Sequence, residues 1–257
     1  MTTYISVVSH HHCQMINELN CLYELCSDYQ VVVKSNVANE DFQRLESMKN
    51  FHHLDLQYGC GFGENNNIVF KYCKKVLGME ENDIFIVMNP DVVISKDEVD
   101  KLTMKMLDSD VSLAAINLFK DEGFTVYDNS VRTFPSLFEF IKSFVTSVNT
   151  SIIDKSEIRE PTIVDWAAGS FLAFKSSNYE ALQGFDERYF MYCEDIDICY
   201  RSSLSNYPVI FYPNIRALHL AKHANRKIFS KHFVWHCKGV FRFIITRLFF
   251  RRALKTH

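Results

Sequence analysis

The chain has no acidic residue beyond Asp197, although it holds 31 Asp and Glu in all. Residues 198–257 carry twelve Lys and Arg, so a net charge of −3 hides an acidic body at −15 and a basic tail at +12. That segregation favours a phosphate-rich partner for the tail: anionic membrane, a diphosphate or nucleic acid. Long apolar runs are missing too. Crossing a bilayer takes about 20 apolar residues, and the most hydrophobic region, Val240 to Phe250, is interrupted by Arg242 and Arg247. The eight cysteines include no C-x-x-C pair, and no charged start followed by an apolar signal core opens the chain. These absences point to free thiols in a reducing cytoplasm, and to a chain that lies on a membrane and does not cross it.

Familiar signatures are lacking as well. His219/His223 and His232/His236 stand at i,i+4 without the glutamate of H-E-x-x-H, which sets aside a zinc hydrolase. The glycines of Gly59-Cys60-Gly61-Phe62-Gly63 do not follow the dinucleotide spacing G-x-G-x-x-G. A sugar-phosphate nucleotidyltransferase would need a basic, glycine-rich loop near the start, and Ser9–Gln14 has no Gly, Lys or Arg.

What is present is an alternation. At 257 residues with 47% apolar content, the chain can bury one large core. β-rich runs are expected at Tyr4–Ser9, Gln30–Lys34, Leu54–Tyr58, Asp83–Met88 and Val111–Asn117. Helical patterns lie between them, around Met15–Cys26, Asp41–Lys49, Asn65–Leu77 and Glu98–Leu107. This order predicts a mostly parallel sheet covered by helices, with ligands beyond the carboxyl ends of the strands. The residues there are polar: Ser9-His10, Ser35-Asn36, the Gly59–Gly63 turn, and Asn89-Pro90-Asp91.

Each motif has two readings. Asp91, directly after an apolar strand, is either a hard-cation ligand serving a diphosphate or part of an ordinary Asn-Pro-Asp turn. The glycine-rich segment either lets a ligand approach a helix N-terminus or simply turns the chain. Glu194-Asp195-Ile196-Asp197 opens a helix, with Asp197 and Arg201 at salt-bridge spacing. These acids either complement the helix dipole or, flanked by Phe190, Tyr192 and Tyr200, supply a carboxylate of raised pKa.

In sequence order, eight further segments follow Ser9-His10. They are Val33-Lys34-Ser35-Asn36, Gly61–Asn67, Asn89-Pro90-Asp91, Arg132-Thr133-Phe134-Pro135, Val164–Ser170, Gly184–Glu187, Tyr192–Asp197 and Ala217-Leu218-His219. Together they resemble family 2 glycosyltransferases, most closely the bacterial rhamnosyltransferases of O-antigen assembly. The resemblance implies a GT-A fold: an α/β, Rossmann-like, mostly parallel sheet flanked by helices, with a C-terminal amphipathic helix. It implies a glycosyltransferase domain over residues 1–225, with a nucleotide-sugar half over about 1–118 and an acceptor half over about 119–225. Residues 226–257 form the basic tail.

By the same resemblance Asp195 is the general base, and Asp91 and His219 hold Mg²⁺ or Mn²⁺. Ser9, His10, Ser35, Asn36, Gly63, Asn66, Asn89 and Asp91 contact the nucleotide sugar. Asp165, Trp166 and Glu194 lie on the acceptor side. The implied reaction is inverting transfer of L-rhamnose from dTDP-L-rhamnose to a polyprenyl-diphosphate-linked sugar such as N-acetylglucosamine, at the inner face of a bacterial inner membrane. Relatives commonly carry Asp-Asn where this chain has Ser35-Asn36, which leaves recognition of the base open. The rival reading is a non-catalytic nucleotide-sugar or glycan-binding subunit of a polysaccharide-assembly complex.

The tail adds a location. From Phe229 to Ile244, Lys231, Lys238 and Arg242 fall on one helical face, with Phe233, Cys237, Val240 and Ile244 opposite. That is the pattern of an interfacial helix on an anionic membrane, with no part for nucleic acid. The alternative is a helix packed on the catalytic domain.

Overall fold

The computed structural model describes residues 1–135, 151–220 and 231–253. The boundary expected at 225/226 and the spacing of His219 to His223 lie outside them. The first half runs β1 (Thr3–Ser9), α1 (Cys13–Leu19), α2 (Cys21–Leu25), β2 (Gln30–Ser35), α3 (Gln43–Glu46), β3 (Phe51–Leu54) and α4 (Phe62–Lys75). It continues with β4 (Ile84–Met88), β5 (Val92–Val93), α5 (Lys96–Asp108) and β6 (Leu113–Phe119). The second half holds β7 (Val131–Arg132), β8 (Thr162–Val164), β9 (Trp166–Ala167), β10 (Phe171–Lys175), α6 (Ser176–Ala181), α7 (Glu194–Leu204), β11 (Val209–His219) and α8 (Lys231–Ala253).

Strand chemistry explains the sheet. β1, β2 and β4 are apolar on both faces, as strands covered by helices on both sides must be. Their order is β3-β2-β1-β4-β10-β6-β11-β5, with β8 on β11. The first four are mutually parallel; β10 then enters antiparallel, and β11 lies parallel to β6. Alternate side chains feed two cores. Tyr4, Val32 and Phe85 meet α4, α6, α7 and α8 on one face, while Ile5, Val31 and Ile86 meet α1, α2 and α5 on the other.

Three expected elements differ. The third strand is Phe51–Leu54, not Leu54–Tyr58, because its pairing to β2 ends at Lys34 opposite Leu54. The chain then turns through Gln57 (φ 51°), whose carbonyl accepts the fully buried Lys34 ammonium at 2.8 Å. The first helical region is broken at Asn20, which adopts φ 54° and ends α1. Asp41–Lys49 yields only the single turn α3.

The tail helix departs from the expected amphipathic face. Val240 and Phe243 are buried in the core, and Phe243 packs on Phe134 and Tyr200. Val240 lies opposite the bases, as expected, and that side packs on the catalytic domain, which is the alternative reading of the helix. A different apolar stripe is exposed: Val234, Phe241, Ile245 and Leu248. No described helix is long and apolar enough to cross a membrane, and all eight cysteines are unpaired.

Candidate active site

The polar strand ends meet at one edge of the sheet. Asn36 N–H donates to the Ser9 carbonyl at 2.7 Å, and the Asn36 amide holds Cys60 through both its oxygen and its nitrogen. Ser9 Oγ donates to buried Glu40, which also accepts His12 N–H at 3.0 Å. Ser35 Oγ lies 2.9 Å from His53 Nε2, and His10 is exposed beside them.

Beyond β4 the chain gives Asn89, Pro90 and Asp91. Asn89 N–H donates to the Ser170 carbonyl at 2.9 Å. β5 then pairs with the end of β11, setting Val92 opposite His219. This register places His219 between two carboxylates: Nε2 is 3.4 Å from Asp91 Oδ1, and Nδ1 is 3.4 Å from Asp128 Oδ2. Burial alone would lower the His219 pKa, but Asp128 and Asp91 outweigh it and push it up to about 9. Burial would likewise raise both carboxyls, yet His219 holds each below its ordinary value. Behind Asp128 lies Lys155, buried against Phe119, Tyr127 and Phe211, its ammonium donating to the Leu118 carbonyl at 2.9 Å. Burial brings its pKa down to about 8.

Among the described residues no three His, Cys, Asp or Glu side chains stand close enough to hold an ion unaided. The donor set nevertheless fits a hard cation that keeps substrate phosphates and waters as ligands. Asp91 offers oxygen, His219 offers Nε2, and Asp128 orients the ring from its other nitrogen, as outer carboxylates do for ligating histidines.

Across the 168–170 segment stands Asp195. Its Oδ2 accepts Gly169 N–H at 3.1 Å and its Oδ1 accepts Ile196 N–H at 2.9 Å. Burial raises its pKa against these donors and the nearby charge of Arg132. Glu194 is buried too, pushed well above the carboxylate range by burial and by Asp195, and its Oε2 has no hydrogen-bond partner among the described residues. Asp197 is occupied otherwise: it pairs with Arg201 at 2.7 Å, as the i,i+4 spacing suggested.

The turn presenting Asp195 is strained. Tyr192 (φ 75°) and Cys193 (φ 69°) both sit in the left-handed region, which costs about 1–3 kcal/mol each for such residues. α8 braces it. Tyr192 Oη lies 3.0 Å from His232 Nδ1, and the Tyr192 ring meets His236. A Cβ on Gly239 would stand 2.6 Å from the Tyr192 carbonyl oxygen, so only glycine permits this approach.

The glycine-rich segment serves the same end. Phe62 N–H donates to the Phe190 carbonyl at 3.0 Å, and a Cβ on Gly61 would lie 2.5 Å from that oxygen. The backbone that the glycine admits is thus the chain's own. Gly63 packs under Phe185, Asn66 bonds Ser6 and Phe62, and Asn67 ties down Phe185 and Glu187. Asp165 accepts Phe134 N–H at 2.6 Å, and Trp166 is buried, donating to the Thr133 carbonyl beneath Arg132. Asp165 and Trp166 hold the 132–134 segment against the site.

Sequence reasoning passed over Asp128, Lys155 and the placement of Arg132. The strand-end rule, applied also to β6, would have pointed to the loop from Lys120 to Asp128. Nothing in the spacing of Lys155 marks it.

Strand ends that gather a His–carboxylate pair, faced by a buried carboxylate at a helix start, describe a glycosyltransferase of GT-A type. No family model matches the chain. It is 37% identical over 246 residues to rhamnosyltransferase WbbL of Escherichia coli strain K12, covering 94% of this chain and 92% of that one. It is 30% identical over 173 residues to the N-acetylglucosaminyl-diphospho-decaprenol L-rhamnosyltransferase of Mycobacterium tuberculosis. There the match covers 65% of this chain and little more than half of the relative, 56%. The solved structure of S. aureus TarS 1–349 superposes with a TM-score of 0.55 at 14% identity, over 86% of this chain and 61% of that one; this likeness concerns the fold. The chain belongs to the rhamnosyltransferases of glycosyltransferase family 2.

Proposed function

We propose that the protein transfers L-rhamnose from dTDP-L-rhamnose to a prenyl-diphosphate-linked N-acetylglucosamine, by a single inverting displacement, during surface-polysaccharide assembly. The observation that carries the chemistry is Asp195, held by two backbone N–H groups yet kept at a raised pKa. Those bonds fix its direction, and its raised basicity suits a group that accepts a proton from an acceptor hydroxyl as that oxygen attacks the anomeric carbon. Arg132 limits how far the pKa rises. Attack from the face opposite the leaving diphosphate would turn a β-linked donor into an α-linked product.

Asp91 and His219 would hold Mg²⁺ or Mn²⁺, which when bound offsets charge on the departing diphosphate. Asp128 keeps the His219 ring in place, and the Ser9, Ser35 and Asn36 loops close the nucleotide side. Support for the acceptor comes from the mycobacterial relative, whose name specifies a diphospho-decaprenol carrier. The exposed stripe of α8, with Lys231 and Lys238 beside it, suits the surface of an anionic membrane on the cytoplasmic side. A purely binding subunit would have no use for a carboxylate of raised basicity at this point.

The test is a panel of nucleotide sugars with a lipid-linked N-acetylglucosamine acceptor, read as nucleoside diphosphate released with and without divalent metal. Release from dTDP-L-rhamnose that requires acceptor and metal supports the proposal. Preference for another donor, or equal release in chelator, contradicts the donor or the metal part respectively.

A further inference from the structure

A concavity of about 750 Å³ lies between α8 and the segment 188–191, lined by no residue of the strand-end loops. Arg188, Lys238 and Arg242 line it together with Phe190, Trp235 and Phe241. Its charge is not internally balanced. Arg188 grips Asp186 at 2.7 Å but stays 69% exposed. The other ion pair on this side is Arg201–Asp197; Lys238 and Arg242 make no close ion pair among the described residues, although Asp186, already gripped by Arg188, feels the charge of Arg242. The Arg242 guanidinium instead lies 5.8 Å over the Tyr189 ring. The apolar wall is equally open. The Phe190 and Trp235 rings meet at a tilt of 44° with centroids 4.6 Å apart, and Phe241, 68% exposed, begins a ridge that continues along α8 through Ile245 and Leu248.

The groove also adjoins the catalytic turn. Phe190 and Met191 line it, and the same backbone runs on through Tyr192 and Cys193 to Asp195. The Phe190 carbonyl is fixed by Phe62 N–H at 3.0 Å. Cations that converge in a concavity suit a compact polyanion, and apolar side chains continuing outward suit a hydrocarbon attached to it. A nucleic-acid backbone would need a longer track of cations, and free phosphate would leave the aromatic wall without a role.

We propose that this groove binds the prenyl-diphosphate end of the acceptor. Arg188, Lys238 and Arg242 take the diphosphate, and Phe190, Trp235 and Phe241 take the first isoprene units, so that the attached sugar points toward Asp195. This deepens the proposed function and rests on its lipid-linked acceptor.

Trp235 reports the site because it lines the groove, which the other tryptophan, Trp166, does not. The experiment titrates the full-length protein with farnesyl diphosphate, farnesol and inorganic diphosphate and follows tryptophan fluorescence. The expected result is a saturable change with farnesyl diphosphate that Trp235→Phe abolishes. Farnesol and inorganic diphosphate should each bind at least about tenfold more weakly, because each satisfies only one wall. Lys238→Glu should weaken farnesyl diphosphate by about tenfold or more, with dTDP binding unchanged as a check of folding. Arg242→Gln provides a second variant with the same expectation. Equal affinity in wild type and Lys238→Glu would overturn the proposal, and so would equal binding of farnesol. Displacement by phosphatidylglycerol vesicles without affinity for farnesyl diphosphate would overturn it in favour of a plain lipid surface. Binding is read without a sugar donor, so the two readings fail separately. Tight farnesyl diphosphate binding without any transfer to a prenyl-linked acceptor would sink the acceptor assignment and leave the groove standing.

Discussion

At the strand ends, His219 on β11 stands between Asp91 and Asp128, each 3.4 Å away, on the loops that follow β4 and β6. Across residues 168–170, Asp195 is set by two left-handed residues and by a helix from the far end of the chain. The first region needs only the α/β scaffold. The second needs long-range packing to hold a backbone that would relax if released. A diphosphate site can tolerate looseness because a cation and its waters adapt, whereas a proton acceptor must meet one hydroxyl in one direction. The carboxylate side is therefore where the structure is most constrained and where small changes should matter most.

The largest expected effect is on that side. Asp195→Asn should lower kcat by about 10²- to 10⁴-fold while nucleotide binding stays within about twofold. Kinetics and dTDP titration on the same preparation check both. A variant keeping more than about a tenth of the wild-type rate would remove Asp195 from the role of base. Asp197 is no substitute, since it is buried in its pair with Arg201.

Gly239→Ala probes the brace. The added methyl must displace the Tyr192 carbonyl or α8, and overpacking of this kind costs about 1–3 kcal/mol. The expected outcome is a lower melting temperature and a kcat reduced about tenfold, with donor KM little changed. An unaffected kcat would mean that the turn holds its shape without α8.

On the donor side effects should be smaller and conditional. Asp91→Ala should weaken dTDP about tenfold in Mg²⁺ or Mn²⁺ and not at all in chelator, because its oxygen reaches a diphosphate through a cation. Asp128→Asn should raise the metal concentration for half-activity by about tenfold, the lower end for outer-shell partners of ligating histidines. Isothermal titration with metal and nucleotide separates the two. Loss of nucleotide binding in chelator would assign Asp91 a direct contact.

The smallest effect concerns the outer stripe of α8. Lys231→Glu should weaken co-sedimentation with anionic vesicles by about 1–2 kcal/mol at low salt, and Leu248→Asp should weaken it at high salt too. Deleting the helix is a poor test, since it would uncover Phe243 and Val240, and exposing a buried Phe alone costs about 3–5 kcal/mol.

Much of this was readable beforehand. β1, β2 and β4 are short apolar runs ended by polar residues, and such runs announce buried parallel strands. Asp91 was visible because it directly follows one of them. β3 was misplaced because Leu54-Asp55-Leu56-Gln57-Tyr58 alternates like a strand, whereas Leu56 and Tyr58 are exposed in a turn over Lys34. Asp128, with Lys155 behind it, is brought to His219 by the pairing of β6 with β11, a contact between distant strands that no local pattern encodes. The face of α8 was misjudged for the same reason: aromatic and basic residues alternate round it, and only Phe134, Tyr200 and the 192–193 turn decide which side is covered.

The central claim, that the Asp195 turn supplies a base of raised pKa, is met most directly by the pH dependence of kcat/KM for transfer. Burial raises Asp195 and its neighbour Glu194, so the pair should titrate above the ordinary carboxylate range. The rate should fall as pH drops through that raised value, because a protonated carboxyl accepts no proton. The account predicts an acid limb above the ordinary carboxylate range, lost in Asp195→Asn and retained in Asp91→Ala. An acid limb within the ordinary carboxylate range, or one that survives in Asp195→Asn, would contradict it.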